Sequence, residues 1–292
     1  MSKRDGGLRL CTDYRSLNAV TKPFKFPLPR IDDLFDEVSS ARVFSCIDLK
    51  LVYHQPRMNP DSMEKTAFVT RYGHFEYVCA PFGLKTLPAH FQRLMATIFK
   101  DYLHKFVLVY LDDIVVYSND VQTHTQHLNF ILERRVHHLH ANPDKSAFYL
   151  QKLTSLGFIL GDGKVEADPH KLAAINNMRS PTTVREVRVF LGMCTYLRKF
   201  IPNYSKKAAA FFDTLKKGRP WSWGQDQEEA IAQLKTALTT PPVLALPDAT
   251  SNDYTLHTDA SLEGLGGFLY QQQNDAELCV IAYESRRLIP AE

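Results

Sequence analysis

Two short apolar runs separated by a pair of acidic residues are the most informative part of the hydrophobic pattern. Residues 106–117 read Phe-Val-Leu-Val-Tyr-Leu-Asp-Asp-Ile-Val-Val-Tyr, in which Asp112 and Asp113 are the charged members. Val and Tyr are enriched in strands, and two such runs around a short polar break are typical of a β-hairpin. The sequence therefore predicts two strands joined by a tight turn that carries both acids.

The acids of this hairpin have a third acid upstream. Asp112 and Asp113 would repel each other in a half-buried hairpin, and a divalent cation commonly offsets such repulsion. By itself the pair is more often a solvated turn. Asp48 ends the strand-like run at 43–48, although a single Asp in such a place is often a turn or cap residue. Because two-metal nucleotidyl transfer needs oxygen ligands from different strands, the three acids together indicate a metal-dependent catalytic site.

Helical periodicity surrounds the acid-bearing segments. From Pro88 onward, apolar residues recur on one helical face and predict a core-facing helix: Phe91, Leu94, Met95, Ile98, Phe99 and Tyr102. A second helix is predicted over about 123–139. Two later helices are predicted to begin at capping boxes, Thr183-x-x-Glu186 and Asp226-x-x-Glu229. Strands, helices and the hairpin together predict an α+β fold.

The last part of the chain changes to a strand pattern. A β-hairpin is predicted over 156–166, around the Gly161-Asp162-Gly163 turn. The pair Pro241-Pro242 marks a linker, after which strands are predicted at 254–258, 266–271 and 278–284.

The histidines are grouped, but their spacing does not indicate zinc. His124 and His127 are three residues apart, and His137, His138 and His140 follow, with no cysteine or carboxylate at the spacing of a closed site. We therefore expect them to occupy surface positions of helices.

Composition narrows the class of protein. With 292 residues and 45% hydrophobic content, the chain can bury one or two cores, and two or three subdomains are expected. Five cysteines without close pairs indicate neither a disulfide framework nor a zinc ribbon, so a reducing compartment is expected. No signal-peptide pattern and no apolar run of membrane-spanning length is present, which favours a soluble cytoplasmic protein without a membrane partner.

Charge is distributed unevenly along the chain. Residues 119–222 contain twice as many basic as acidic residues, whereas residues 223–292 are predominantly acidic. The basic region fits a surface that follows a phosphate backbone, and a solvated helical face fits it about equally well.

Motifs along nearly the whole chain resemble the reverse transcriptase of gypsy-class LTR retrotransposons, a segment of their Pol polyprotein. The matching stretches occur in the family's order: LRLCTDYRSLN (8–18), FSCIDLKLVYHQ (44–55), EKTAF (64–68), RYGHFEYVCAPFGL (71–84), AHFQRLM (89–95), YLDDIVVYS (110–118), LTSLGFIL (153–160), VREVRVFLGMCTYLRKFIPNYSK (184–206) and LHTDAS (256–261). The resemblance implies a right-hand polymerase with fingers, palm and thumb/connection, followed by a truncated RNase H-like sheet. It implies three domains: 1–152 is an N-terminally truncated fingers and palm, 153–242 is thumb/connection, and 243–292 is a partial RNase H-like domain.

The resemblance also implies roles for individual residues. The catalytic acids and metal ligands would be Asp48, Asp112 and Asp113. The nucleotide-binding residues would be Arg9, Leu49, Tyr53, Phe82 and Gly83, and the primer grip would be Leu156, Gly157 and Phe158. Asp259 matches the first catalytic Asp of the RNase H-like domain. The other acids of that domain are expected beyond residue 292, so RNase H activity is not expected.

Two of these roles have alternatives. The Arg9 guanidinium presents a fixed fork of donors that suits a triphosphate, but Lys3, Arg4 or Arg15 could share or carry that contact. Tyr53 would be the aromatic gate beneath the sugar that leaves no room for a 2′-hydroxyl. Its alternative is an aromatic strand residue packed in the palm.

The implied activity is RNA-directed DNA polymerisation. The expected cofactors are two Mg²⁺ ions, with Mn²⁺ as an alternative. The expected partners are an RNA or DNA template with its primer, dNTPs, and the protease and integrase segments of the polyprotein. The implied location is a cytoplasmic virus-like particle.

Some positions depart from the family pattern. Lys50-Leu51-Val52 precedes Tyr53 where the family usually has Ser-Gly before the Tyr, and Lys85-Thr86-Leu87 replaces Thr-Asn-Ala. These departures leave open an inactive retroelement relic, or a domesticated nucleic-acid-binding fragment. A host polymerase of another lineage is disfavoured by the RNase H-like segment.

Overall fold

The computed structural model describes residues 10–50, 54–133, 139–216, 218, 220–239, 241–248, 250–262, 264–273 and 277–288, without the side chains of Asp213 and Glu277. The chain divides into two compact units, one formed by 1–34 with 42–151 and the other by 35–41 with 152–292. The predicted Arg9 and Tyr53 sites lie outside the described residues.

The first unit is built around an antiparallel sheet. Its elements are α1 (Arg15–Val20), β1 (Val43–Asp48), α3 (Pro60–Met63), β2 (Phe68–Thr70), β3 (Gly73–Phe75), α4 (Leu87–Ile98), β4 (Val107–Tyr110), β5 (Asp113–Ser118), α5 (Val121–Glu133) and β6 (Ala147–Leu150). Helix α2 (Ile31–Glu37) contains residues of both units. The sheet has the order β4-β5-β1-β6, and β2 and β3 form a separate hairpin.

Helices α4 and α5 cover the sheet with apolar side chains. The main core contains Ile47, Phe91, Met95, Ile98, Phe99, Val107, Val109, Ile114, Val116, Leu128 and Ile131. The repeat that predicted α4 is therefore confirmed as a core-facing stripe. The helix predicted over about 123–139 is present as α5 from Val121 to Glu133; residues 134–138 lie outside the described part of the chain, and Leu139 is not helical.

The second unit contains two further sheets and a group of helices. Its elements are β7 (Leu153–Ser155), β8 (Phe158–Gly161), β9 (Lys164–Ala167), α6 (Pro169–Asn176), α7 (Val184–Tyr196), α8 (Tyr204–Lys207), α9 (Ala209–Thr214), α10 (Gln225–Thr239), β10 (Leu244–Ala245), β11 (Tyr254–Ala260), β12 (Gly264–Gln273) and β13 (Glu277–Arg287). The sheet orders are β10-β9-β8-β7 and β11-β12-β13.

Local signals explain several element ends of the second unit. The hairpin of β8 and β9 turns at Asp162 and Gly163, both with positive φ, as predicted. The hydroxyl of Thr183 accepts a hydrogen bond from the Glu186 N–H and caps α7 as predicted, while the Glu186 carboxylate accepts from the Thr182 N–H, one residue before the position that a full capping box requires. The second predicted capping box was wrong, because α10 already includes Gln225 and Asp226 is within its first turn.

The three predicted C-terminal strands are present and longer than expected. Strand β13 contacts the helical part of the second unit through the Ser205 N–H, which donates to Ser285 Oγ at 2.9 Å, and through an ion pair of 3.2 Å between Arg198 and Glu284. The short strand β10 pairs with β9, which places Leu244 in the sheet of residues 153–167.

Candidate active site

The predicted acid-bearing hairpin is present, with its two acids in different positions. Tyr110 pairs with Asp113 across β4 and β5, so Leu111 and Asp112 form the two-residue turn. Asp113 is therefore the first residue of β5, and only Asp112 lies in the turn. The prediction that the turn carries both acids was wrong by one residue.

Asp48 and Asp113 are brought together by strand register. They are directly opposite on the antiparallel strands β1 and β5. The Cβ atoms of opposed residues in such a pair are about 4.5–5.5 Å apart and are on the same face of the sheet. Asp112 is adjacent in sequence to Asp113. The sheet thus gathers the three predicted acids at one end of two neighbouring strands.

Burial and the charges of neighbouring acids shift the pKa of Asp113 and of the nearby Cys46. Burial, followed by the charges of Asp112 and Asp48, raises the pKa of Asp113 to about 6. Cys46, two residues before Asp48, is affected in the same way. Burial, followed by the charges of Asp113 and Asp48, raises the pKa of its thiol to about 11. The thiol is therefore protonated at neutral pH and is a poor nucleophile.

The donor chemistry of the acids suits a hard divalent cation. Carboxylate oxygens are the ligands that Mg²⁺ prefers, and a cation would relieve the repulsion that raises the Asp113 pKa. Among the residues that the structure describes, no three His, Cys, Asp or Glu side chains already converge as a metal-binding group. Asp48, Asp112 and Asp113 thus suit a divalent cation by the type of their donor atoms and by the placement of their backbone. Their side chains would have to rotate to bind one ion together.

Gln92 of α4 is a site residue that sequence reasoning missed. Its side chain is 4% exposed. Its Oε1 accepts a hydrogen bond of 2.8 Å from the Leu111 N–H, and its Nε2 donates one of 3.0 Å to the Val109 carbonyl. A Gln within an amphipathic helix usually lies on the solvated face. The sequence therefore offers no sign that Gln92 is buried, apart from its place next to Phe91 of the apolar stripe.

The loop with Phe82 and Gly83 is held by a side-chain clamp. Gly83 has φ +102°, and its carbonyl accepts a hydrogen bond of 2.7 Å from Asn18 Nδ2. Asn18 Oδ1 accepts in turn from the Lys85 N–H at 2.9 Å. The ring of Phe82 makes an edge contact with His54 at 5.0 Å. Asn18 thus fixes the loop that the resemblance assigns to the nucleotide, a contact not anticipated from sequence.

Two other residues with nucleotide-related predictions are engaged within the protein. The Leu49 side chain is buried in the main core, so only its backbone remains for a ligand. Arg15, the alternative to Arg9, forms an ion pair of 2.6 Å with Asp13 on the surface. The hydrogen bonds from Arg15 lower the pKa of Asp13 to about 2.

The predicted primer grip is a strained turn of the second unit. Leu156 and Gly157, between β7 and β8, both have positive φ. The Leu156 carbonyl accepts from the Tyr196 hydroxyl, and the Gly157 carbonyl accepts from the Asp168 N–H at 3.1 Å. Phe158 is buried and stacks on Tyr196 at 5.2 Å. The chain therefore fixes the direction of this turn from α7 and from the start of α6.

Asp259 lies on the exposed edge strand β11, opposite Gly266. It lines a pocket of about 190 Å³ together with Lys206, Ser285 and Arg287. Lys207, next to Lys206, instead donates to the Pro202 carbonyl at 2.6 Å, and its pKa is lowered by burial. Lys206 and Lys207 are neighbours in the basic region 119–222, and their side chains thus have different surroundings.

The expectation of surface histidines was wrong for His124. This side chain is fully buried and bonds Ser45 Oγ through Nε2 at 2.7 Å and Ser118 Oγ through Nδ1 at 2.8 Å. His127 Nδ1 contacts the same Ser118 Oγ at 2.8 Å and stacks on Phe106. Burial lowers the pKa of both histidines. Residues 137 and 138 lie outside the described part of the chain.

A sheet that places carboxylates at the ends of adjacent strands, with helices against its other face, defines the palm of a right-hand polymerase. The family model described as reverse transcriptase (RNA-dependent DNA polymerase) matches residues 1–160. The chain belongs to this reverse transcriptase family. A second model, an RNase H-like domain found in reverse transcriptase, matches residues 223–292.

Curated relatives agree with the gypsy-class resemblance, which is confirmed. The chain is 37% identical over 265 residues to the retrovirus-related Pol polyprotein from transposon 297 of Drosophila melanogaster, covering 90% of this chain and 25% of that protein. It is 33% identical over 291 residues to the transposon Tf2-3 polyprotein of Schizosaccharomyces pombe, covering 99% and 22%. The chain thus spans about a quarter of these relatives.

Solved structures confirm the predicted fold class. A foamy viral protease-reverse transcriptase in complex with double-stranded DNA matches with a TM-score of 0.87 and 22% identity, covering all of this chain and 51% of that one. A foamy viral enzyme in complex with an RNA/DNA hybrid matches with a TM-score of 0.77 and 21% identity, covering 95% and 38%.

In the described parts of this chain, no helix combines the length and apolarity needed to cross a membrane.

Proposed function

We propose that this chain carries the polymerase function of a retrotransposon reverse transcriptase, which is template-directed nucleotidyl transfer by two metal ions. The observation that carries the proposal is the pairing of Asp48 with Asp113, with Asp112 in the adjoining turn. All residues of β5 after Asp113 are buried, as are residues 43–45 and Ile47 of β1, so the acids are held on a packed sheet.

The carboxylates would hold two Mg²⁺ ions, or Mn²⁺ as a substitute. When bound, such ions lower the pKa of the primer hydroxyl and offset the charge of the phosphates. The primer 3′-oxygen forms a bond to the α-phosphorus of a dNTP, the bond to the pyrophosphate oxygen breaks, and the hydroxyl proton leaves to solvent. Asp48, Asp112 and Asp113 orient the reacting groups from a fixed backbone.

The same proposal assigns the substrate contacts. Template and primer would be RNA or DNA, and the foamy viral neighbours are described as complexes with DNA or a hybrid. We assign dNTP binding to Arg9, Tyr53, Leu49, Phe82 and Gly83, with Leu49 acting through its backbone. Leu156, Gly157 and Phe158 would position the primer end.

The proposal extends to organisation. Fingers and palm would comprise 1–152, thumb and connection 153–242, and the RNase H-like part 243–292, with Asp259 as its first acid. Because the relatives are polyproteins, protease and integrase segments are the proposed partners, in a cytoplasmic virus-like particle.

A second candidate is an inactive relative that only binds nucleic acid. It is favoured by Lys50-Leu51-Val52, where bulky residues replace the small ones that usually precede Tyr53. This candidate predicts binding of a primer-template without extension.

Primer extension on an RNA template separates the two. The purified chain should extend a DNA primer with Mg²⁺ or Mn²⁺, and Asp112→Asn should abolish extension without weakening primer-template binding. The matched control is Asp162→Asn, an acid in the two-residue turn of another hairpin, β8–β9, which should extend normally. Binding without extension by the parent chain would favour the inactive relative, and an active Asp112→Asn protein would refute the metal assignment.

A further inference from the structure

The turn between β4 and β5 contains a backbone conformation that its residue disfavours. Leu111 has φ +54°, in the left-handed region. A residue with a Cβ is disfavoured there, and two-residue hairpins commonly place Asn, Asp or Gly at such positions. The turn therefore needs support from outside the hairpin.

Gln92 supplies that support on the β4 side of the turn. Its amide accepts from the Leu111 N–H and donates to the Val109 carbonyl, two residues earlier on β4. One buried group thus bonds the backbone on either side of Tyr110. A side-chain amide suits this task because it presents a donor and an acceptor on one rigid plane, whereas carboxylate and aliphatic side chains lack one or both.

Gln92 is not required to attach α4 to the sheet. The other buried residues of the helix are apolar, namely Leu87, Phe91, Met95 and Ile98. They supply the packing surface. A buried amide is costly unless both its donor and its acceptor are hydrogen-bonded. The presence of Gln92 among apolar residues therefore indicates that the hairpin backbone needs the two hydrogen bonds that it makes.

We infer that Gln92 is a positioning residue, which holds the Tyr110–Asp112 backbone so that Asp112 and Asp113 face Asp48. This inference rests on the proposed polymerase function. The effect passes through the turn, because Leu111 is the residue directly before Asp112 and its N–H is the group that Gln92 fixes. Without the two hydrogen bonds of Gln92, the strained turn relaxes and the carboxylates lose their relative placement.

The test compares Gln92→Met, which keeps side-chain length and removes both hydrogen bonds, with Gln126→Met on the exposed face of α5. Gln92→Met should lower kcat about tenfold or more, since small misplacements of catalytic groups have effects of this size. It should raise the Mg²⁺ concentration for half-maximal rate, with primer-template affinity unchanged within about twofold. Gln126→Met should match the parent.

A second substitution distinguishes positioning from loss of packing. Gly adopts positive φ freely, so Leu111→Gly removes the backbone strain at residue 111 that the Gln92 hydrogen bonds hold in place. The double variant Gln92→Met with Leu111→Gly should recover part of the lost kcat. A folded Gln92→Met protein with parental kcat and Mg²⁺ dependence would overturn the inference, and so would a double variant that is no better than Gln92→Met.

Two measurements keep the inference testable in other circumstances. If Gln92→Met does not fold, amide hydrogen exchange of the parent decides: a protected Leu111 N–H supports the hydrogen bond to Gln92, and rapid exchange overturns it. If the parent extends no primer, the polymerase proposal fails by itself. Mn²⁺ binding then tests positioning, which requires weaker binding by Gln92→Met than by the parent, and equal binding overturns it.

Discussion

Asp48 and Asp113 face each other across the antiparallel pair β1 and β5, at the end of the sheet where the β4–β5 turn also places Asp112. The backbone hydrogen bonds of the two strands fix their separation. Burial, followed by repulsion from Asp112 and Asp48, raises the pKa of Asp113, so the same geometry that suits cations destabilises the metal-free fold.

Replacing Asp113 should therefore stabilise the metal-free protein at neutral pH. The ordinary pKa is 3.8 and the folded value is about 6, so the folded state binds the proton more tightly. The penalty is absent below the ordinary value and complete above about pH 6. Because the group is partly solvated, Asp113→Asn should gain about 1–2 kcal/mol in unfolding free energy at pH 7.5.

Urea unfolding at pH 7.5 and pH 4, with EDTA, measures this gain. The difference between Asp113→Asn and the parent should shrink at pH 4, where both carry a neutral side chain. Adding Mg²⁺ should then stabilise the parent more than the variant. An equal difference at both pH values would contradict the electrostatic origin.

The buried His124 should make stability depend on pH in the opposite direction. Its pKa is lowered from 6.5 by burial and by the charge of His127, so the unfolded state binds the proton more tightly. Its contribution is present above pH 6.5 and is lost as pH falls through the folded pKa. His124→Gln should give a flatter curve of unfolding free energy between pH 7.5 and 5.

The exposed His170 provides the control. His170→Gln should retain the parental slope, and NMR titration of His124 in the parent should give a pKa below that of a free histidine. A parental slope in folded His124→Gln, together with an ordinary His124 pKa, would show that the Ser45–His124–Ser118 chain tolerates the proton.

Two glycines with positive φ should respond differently to Ala. At Gly83, φ is +102°, outside the small left-handed region that residues with a Cβ tolerate, whereas φ is +68° at Gly163. The atoms nearest to a Cβ at Gly83, Tyr14 Cδ2 at 3.4 Å and the Thr12 carbonyl oxygen at 3.5 Å, are at ordinary contact distance. Gly83→Ala should cost about 2 kcal/mol or more, whereas Gly163→Ala, in open space, should cost about 1. Chemical unfolding measures both, and equal costs would show that the loop near Phe82 adapts without strain.

Lys206 and Lys207 should separate nucleic-acid binding from stability. Lys206→Gln should weaken primer-template affinity for all sequences alike and reduce the log–log salt slope by about one. Lys207→Gln should instead lower the unfolding free energy by about 1 kcal/mol, because it removes the bond to the Pro202 carbonyl. Anisotropy titrations at several salt concentrations and thermal melts measure the two effects. An unchanged slope in Lys206→Gln would remove this residue from the binding surface.

The sequence predicts the parts of the site that depend on local patterns. Short apolar runs rich in Val, Ile and Tyr specify β4 and β5, a similar run ending at Asp48 specifies β1, and the Asp pair marks the hairpin turn, because strand propensity and turn chemistry are encoded within a few residues. The one-residue error at Asp113 shows the limit of this signal, since strand ends depend on pairing with the partner strand.

The supporting contacts could not be predicted because they join distant residues. Gln92 bonds Leu111, 19 positions away, and His124 bonds Ser45, 79 positions away. A Gln or His within an amphipathic helix resembles a surface residue until the polar partner is known. Burial of these groups is decided by the tertiary fold, which places their partners opposite them.

The pairing of β1 with β5 makes the site sensitive to one kind of genetic change more than to others. Substitutions within β1 leave the alternation of its faces intact, whereas inserting or deleting a single residue between Val43 and Asp48 would turn Asp48 to the opposite face of the sheet. Insertion or deletion of one codon in this stretch should therefore inactivate the polymerase of a retrotransposon copy as effectively as loss of one of the three acids. Related copies that remain mobile should vary β1 in composition and hardly at all in length.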